Sequence, residues 1–193
     1  MICFVPVGTL SESHVSSFLE SGKKVYLKKK DILLRQGEYC KYAAIVIKGE
    51  FLISRILSDG VEVILGFSEG NELITDYSAF LSESESQLNV QAISDSELLL
   101  YSQKQINAFF EYNMDTQRFG RKIAESLIIK WESALISVYC ETAEERYSKL
   151  LHQMPELFQK LPLKYIASII GITPETVSRI RKRIVSADAN PGI

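Results

Sequence analysis

The sequence predicts an α+β protein: an N-terminal antiparallel β-roll of jelly-roll type, a long helix, and a C-terminal helical domain built on a helix-turn-helix. Three observations carry that expectation. Short apolar runs broken by glycine fill residues 23–101, an apolar stripe at helical spacing follows over 115–139, and paired helix start and stop signals close the chain. At 193 residues, with 46% hydrophobic and 24% charged residues, the chain has a globular balance and length for one large domain or two small ones.

The apolar runs are KVYL, DILLR, YAAIVIK, EFLISRI, VEVILGF, LNVQAI and ELLLYS, separated by Gly37, Gly49, Ser58-Asp59-Gly60 and Gly70. Runs this short, rich in Ile, Val, Leu and aromatics, predict antiparallel strands. Asp59-Gly60 suits a tight hairpin, because glycine accepts positive φ. Some seven such strands predict a closed roll or barrel.

After Ser102 the period changes. Between 115 and 139 there is no proline and a single glycine, Gly120. Phe119, Ile123, Leu127, Trp131, Leu135 and Val138 recur at steps of four and three, which predicts a helix with a long apolar side. A helix of about 25 residues spans roughly 37 Å, longer than one side of a small barrel needs, so self-pairing into a homodimer through this stripe is expected. Thr142 and Glu145 then have capping-box spacing, and a further helix through Leu150 and Leu151 should end near Pro155. The expected division is 1–113 for the roll, 114–140 for the long helix and 141–193 for the helix-turn-helix domain.

The last segment starts a helix at Pro162, places Gly171 at a left-handed cap, and restarts at Thr173 with Pro174 and Glu175 in the first turn. Ile166, Ala167, Ile170, Val177, Ile180 and Ile184 mark the inner faces, with Ala167 small enough for the helices to cross closely. Glu175, Ser178, Arg179 and Lys182 are left on the outer side. Arginine pairs with guanine O6 and N7, and glutamate accepts from cytosine N4. Arg181, Lys182 and Arg183 suit phosphates, and Thr173 and Thr176 at the helix start suit another. The net charge is −2, yet residues 141–193 hold 8 Lys+Arg against 6 Asp+Glu, while 1–140 hold 14 against 18. The plain alternative is a solvated basic face on a structural hairpin of helices.

This arrangement resembles the Crp/Fnr family of bacterial transcription regulators from about residue 20 to 186. "LLRQGEYCKYAAIVIKGEF" matches in the roll and "PLKYIASIIGITPETVSRIRK" at the end. The resemblance implies a β-roll sensor, a dimerisation helix and a C-terminal domain bound to double-stranded DNA, with RNA polymerase as a further protein partner. Glu175 and Arg179, with Ser178 between them, fall on its base-reading positions. Members that bind cyclic AMP use a Gly-Glu for the ribose and an Arg ten residues later for the phosphate. Here those positions fall on Asp76 and Ser86, so any effector pocket around Asp76, Ser86 and Gln87 is degenerate. Residues 56–103 contain nine Asp+Glu and no Lys or Arg, leaving backbone amides or a cation from the long helix such as Lys130 to compensate. Tight cyclic-nucleotide binding is therefore not expected, and the effector is unknown. Eight residues follow Val185, too few for the β-hairpin wing that the family places there, so a helix-turn-helix without a full wing is expected.

Cys3, Cys40 and Cys140 are scattered, which disfavours a disulfide framework or an iron–sulfur site and fits a reducing cytoplasm. His14 and His152 are the only histidines, and none lies in 25–101, which disfavours a cupin-like enzyme and leaves a haem role for either histidine unsupported. No leader is recognisable at the N-terminus and no apolar run reaches roughly 18 residues, so no membrane is expected. No catalytic grouping, cofactor or metal is assigned. The leading expectation is a sequence-specific DNA-binding regulator reading a palindromic site. The alternative is a small-ligand sensor or protein-interaction module whose helix-turn-helix does not bind DNA.

Overall fold

The run YAAIVIK lacks polar–apolar alternation because its central residues are buried on both faces. It forms β3 (Tyr42–Lys48) in the computed structural model, which describes residues 12–188 and divides into two compact units, Met1–Trp131 and Glu132–Ile193. In the first unit, one antiparallel sheet has the order β1 (Lys23–Leu27), β8 (Ser96–Ser102), β3, β6 (Leu73–Ile74). The other runs β2 (Ile32–Leu34), β7 (Asn89–Ala92), β4 (Glu50–Ile56), β5 (Glu62–Glu69). Ala44 and Val46 of β3 join Phe51, Ile53, Val90 and Leu98 in the core between the sheets. Ala43 and Ile45 on the opposite face pack with Phe80, Leu99, Tyr101 and Ile106.

That outer face is covered by α1 (Glu12–Ser21), α2 (Tyr77–Leu81) and α3 (Gln103–Glu111). Phe18 stacks on Tyr101 and on Phe109, each at 4.3 Å between ring centres. Burial pushes the Tyr101 hydroxyl up to about 12. The sequence reading anticipates seven strands but not β6 or these three helices. Cys40 is a buried core thiol touching Thr75 Oγ1 at 3.3 Å. Gly49 alone joins β3 to β4 at φ +114°, where a Cβ would lie 2.8 Å from the Ser96 Cα. The β4–β5 hairpin turns at Gly60, φ +83°, with open space around it.

Helix α4 (Met114–Cys140) is capped by Asn113, whose Oδ1 accepts from the Asp115 and Thr116 N–H groups at 2.9 and 3.0 Å. Phe119, Ile123 and Leu127 are buried against Tyr77, Phe109 and Phe110. This corrects the expectation of one pairing stripe from Phe119 to Val138. Each step of four residues advances about 40° around a helix, so the row drifts from the core side to another side. Trp131, Leu135 and Val138 are 50, 57 and 65% exposed, and Ile128, which the sequence reading passes over, is 68% exposed. Ile128, Trp131, Leu135 and Val138 alternate by three and four, as a coiled-coil seam does, with Ile129, Ile136 and Tyr139 exposed beside them.

The second unit contains α5 (Ala143–Gln153), α6 (Leu157–Lys160), α7 (Leu163–Ile169) and α8 (Pro174–Asp188). The capping box at α5 is present: Thr142 Oγ1 accepts from Glu145 N–H at 3.2 Å, and Glu145 Oε2 accepts from Thr142 N–H at 2.7 Å. Sequence reasoning does not single out Arg146. Its Nε donates to the Ile170 carbonyl at 2.8 Å and its Nη1 to the Glu141 carbonyl at 2.6 Å, satisfying carbonyls at the C-terminal ends of two helices. The available signal was a cation near a helix start, where the dipole disfavours it. Among the described residues, no helix is long and apolar enough to cross a membrane.

Three outcomes follow, each read by urea or thermal unfolding. Gly49→Ala should cost about 3 kcal/mol through backbone strain and the Ser96 clash, whereas Gly60→Ala should cost only about 1 kcal/mol. Arg146→Ala should cost about 2 kcal/mol. The Thr142 N–H, then its hydroxyl, hold the Glu145 carboxyl below its ordinary range, so folding favours the ionised form. Its contribution is complete above the ordinary glutamate range and lost as pH falls through the lower folded value. Glu145→Gln should flatten the acid limb of the stability profile.

Candidate nucleic-acid interface

The turn between α7 and α8 is held by its own backbone. Gly171 adopts φ +69°; its N–H donates to the Ser168 carbonyl at 3.0 Å and the Ile172 N–H donates to the Ala167 carbonyl at 2.9 Å. These two bonds form a Schellman cap, which only a left-handed residue completes comfortably. Thr173 then starts α8: its Oγ1 accepts from the Thr176 N–H at 3.3 Å and its carbonyl from the Val177 N–H at 3.1 Å. Ile166, Ala167, Ile170, Val177 and Ile180 are all buried, as their spacing predicts, and Tyr147, Leu150, Leu157 and Leu161 are buried with them. Tyr147 meets Phe158 edge-on at 5.3 Å.

With that side committed to the core, Glu175, Ser178, Arg179 and Lys182 are exposed at positions i, i+3, i+4 and i+7 of α8. They share an arc of about 100° facing away from Val177 and Ile180. Arg179 Nη2 donates to Thr176 Oγ1 at 3.2 Å, which lays the guanidinium along the helix start. The Glu175 carboxyl is held below its usual range by its own backbone N–H and by the Thr173 hydroxyl, so it is an anionic acceptor at neutral pH. Arg181, Lys182 and Arg183 do not form one cluster, because successive residues on a helix point about 100° apart. Arg183 Nη1 pairs with Glu144 at 3.1 Å, while the charge of Arg181 acts on Tyr147.

In the first unit, Asp76, Ser86 and Gln87 do come together. Asp76 is 7% exposed; its Oδ1 accepts from the Ala79 N–H at 3.2 Å, and its Oδ2 from Ser86 Oγ and the Gln87 N–H, both at 3.0 Å. The buried carboxyl group thus already takes a backbone amide of α2, the Ser86 hydroxyl and the Gln87 N–H. A cation that sequence reasoning did not name stands beside Gln87: Arg55 of β4, whose Nη1 donates to Gln87 Oε1 at 2.8 Å. The charge of Lys130 acts on Glu72, whose carboxyl burial raises. Inside the roll a cavity of about 610 Å³ is lined by Leu33, Ala44, Ile74, Val90 and Leu100, with Glu38 and Glu85 among its polar neighbours.

Among the described residues, no group of three or more His, Cys, Asp and Glu is placed to hold a metal ion. Cys3, the side chain of His14, and the residues after Asp188, where a wing was sought, lie outside the described residues.

Residues 24–113 match the family model of the cyclic nucleotide-binding domain. No curated protein matches the sequence significantly. Among solved structures, FixK2 from Bradyrhizobium japonicum is similar at a TM-score of 0.73 and 18% identity, covering 89% of each chain. The c-di-GMP responsive global regulator CLP of Xanthomonas campestris is similar at 0.67 and 14% identity, covering 92% of this chain and 93% of its own. The catabolite activator protein of Thermus thermophilus is similar at 0.61 and 18% identity, covering 96% of this chain and 89% of its own. Residues 24–113 thus match the cyclic nucleotide-binding domain, and the chain has the fold of the Crp/Fnr-type transcription regulators.

Proposed function

We propose that the chain is a sequence-specific DNA-binding transcription regulator of Crp/Fnr type that acts as a homodimer on a palindromic site and does not respond to cyclic AMP. The observation that carries this reading is the exposed row Glu175, Ser178, Arg179 and Lys182 on a helix whose other side is core. Laid in a major groove, Arg179 meets guanine O6 and N7, and Glu175 accepts from cytosine N4. Thr173, Thr176 and Arg181 flank that row, and with Lys182 at its end they serve the phosphates, which set position rather than sequence preference. Arg183 exchanges Glu144 for a phosphate at little cost, since an exposed pair of this kind contributes at most about 1 kcal/mol.

The exposed seam of Ile128, Trp131, Leu135 and Val138 supports pairing with a second copy. Two-fold symmetry then sets two reading helices about 34 Å apart, one DNA turn. The Asp76 network supports independence from cyclic AMP: a bound phosphate has to displace a carboxylate from the Ala79 and Gln87 amides, or sit against it as a like charge.

Selection of sites from random DNA by the unliganded protein should return a palindrome. Arg179→Ala should weaken each half-site by about 1–3 kcal/mol and relax its preference. Wild-type protein that enriches no motif would contradict the reading. Calorimetry should detect no cyclic AMP binding in the micromolar range, and saturation there would remove the argument from Asp76.

A further inference from the structure

A second cavity, of about 350 Å³, lies within the first unit on the outer face of β3, away from the interior of the roll. Ala43 and Ile45 form its floor, and the rings of Phe18, Tyr77, Phe80, Phe110 and Phe119 line it. Among the described residues no Asp or Glu lines it, and the one cation that does, Arg121, is paired with Glu125. Asn107 and Gln117, both exposed, stand at its mouth, and their side-chain amides make no hydrogen bond within the described residues.

We propose that this cavity is an effector site for a small uncharged aromatic molecule of about two fused rings, bearing one polar group that reaches Asn107 and Gln117. Size sets the upper bound: an apolar cavity of about 150 Å³ takes benzene, and this one is a little over twice that. The walls set the chemistry. Five rings offer stacked and edge-on contacts to another ring system. An ammonium group entering the cavity would lose its water without gaining an opposite charge, and a carboxylate would have to draw Arg121 away from Glu125. The two amides, without a partner among the described residues, offer both donors and acceptors, so a hydroxyl or carbonyl at the mouth is matched by either.

The position of the cavity makes an occupant consequential. One wall is α4 itself, through Phe119, Gly120 and Ile123, and a Cβ at Gly120 would lie 3.0 Å from the Phe110 ring. Space between α4 and α3 is therefore set to contact distance at that point. The exposed seam that starts at Ile128 continues the same helix, so a ligand that shifts the seat of Phe119 and Ile123 shifts the helix proposed to pair. That consequence rests on the dimeric-regulator reading; the binding itself does not.

The test is calorimetric titration of the full chain with 1-naphthol, repeated with Leu73→Phe, which fills this cavity, and Leu33→Phe, which fills the one inside the roll. One saturable site per chain is expected, weakened at least tenfold by Leu73→Phe and unchanged by Leu33→Phe, with circular dichroism confirming that each variant folds. Should Leu73→Phe misfold, the double change Asn107→Ala and Gln117→Ala should weaken 1-naphthol severalfold while leaving naphthalene binding as it was. No saturation by the wild type, or weakening by Leu33→Phe alone, overturns the site. Unchanged affinity for the selected DNA at saturating 1-naphthol overturns its effector role. Saturation in a protein that enriches no DNA upholds the site and removes the regulator reading; enrichment without saturation does the reverse.

Discussion

Phe119, Ile123 and Leu127 leave water against Tyr77, Phe109 and Phe110, while Ile128, Trp131, Leu135 and Val138 of the same helix remain exposed. A helix apolar on two sides is fully satisfied only when both are covered. The first side fixes the N-terminal part of α4 to the first unit. The second, seven large apolar side chains long when Ile129, Ile136 and Tyr139 are included, carries more exposed hydrophobic surface than isolated surface residues would explain. The proposed dimer, the spacing of the reading helices and the leverage of the cavity beneath α4 all depend on this double commitment.

The proposed reading face depends on a different set of bonds. Gly171 and Thr173 close one helix and open the next with backbone and hydroxyl partners, and Arg146 takes carbonyls of Ile170 and Glu141. No outward residue of α8 is needed to hold the turn, so Glu175, Ser178, Arg179 and Lys182 remain at the surface. In the roll the logic is inverted. Asp76, a buried carboxylate, consumes the donors at the start of α2, and an acidic stretch surrounds it. The chain thus concentrates cations on the helix proposed to meet phosphates and has none in residues 56–103.

Much of this was legible in the sequence because it is local. The strand runs, the Thr142–Glu145 box and the Gly171–Thr173 turn each declare themselves within a few residues. Helix α3 was equally legible, since Ser102 and Gln105 form a capping box, but the signal sits inside a strand run and the strand masked it. Helix α2, of five residues, is too short to show a period. The pairing stripe was misread because steps of four look continuous in sequence while they drift around the helix. Arg55 beside Gln87, and Lys130 beside Glu72, could not be read at all: sheet register and helix seating bring them there, not spacing. The meeting of Asp76 with Ser86 was anticipated only through the resemblance, and its meaning, a carboxylate that occupies its own donors, required the geometry.

Sedimentation equilibrium of the wild type and of Leu135→Glu, without DNA or added ligand, addresses the double commitment of α4 most directly. The wild type should sediment at twice the 21.8 kDa chain mass and the variant at the single-chain mass with its circular dichroism unchanged. A monomeric wild type, or a variant that remains dimeric, would contradict the assignment of the exposed seam.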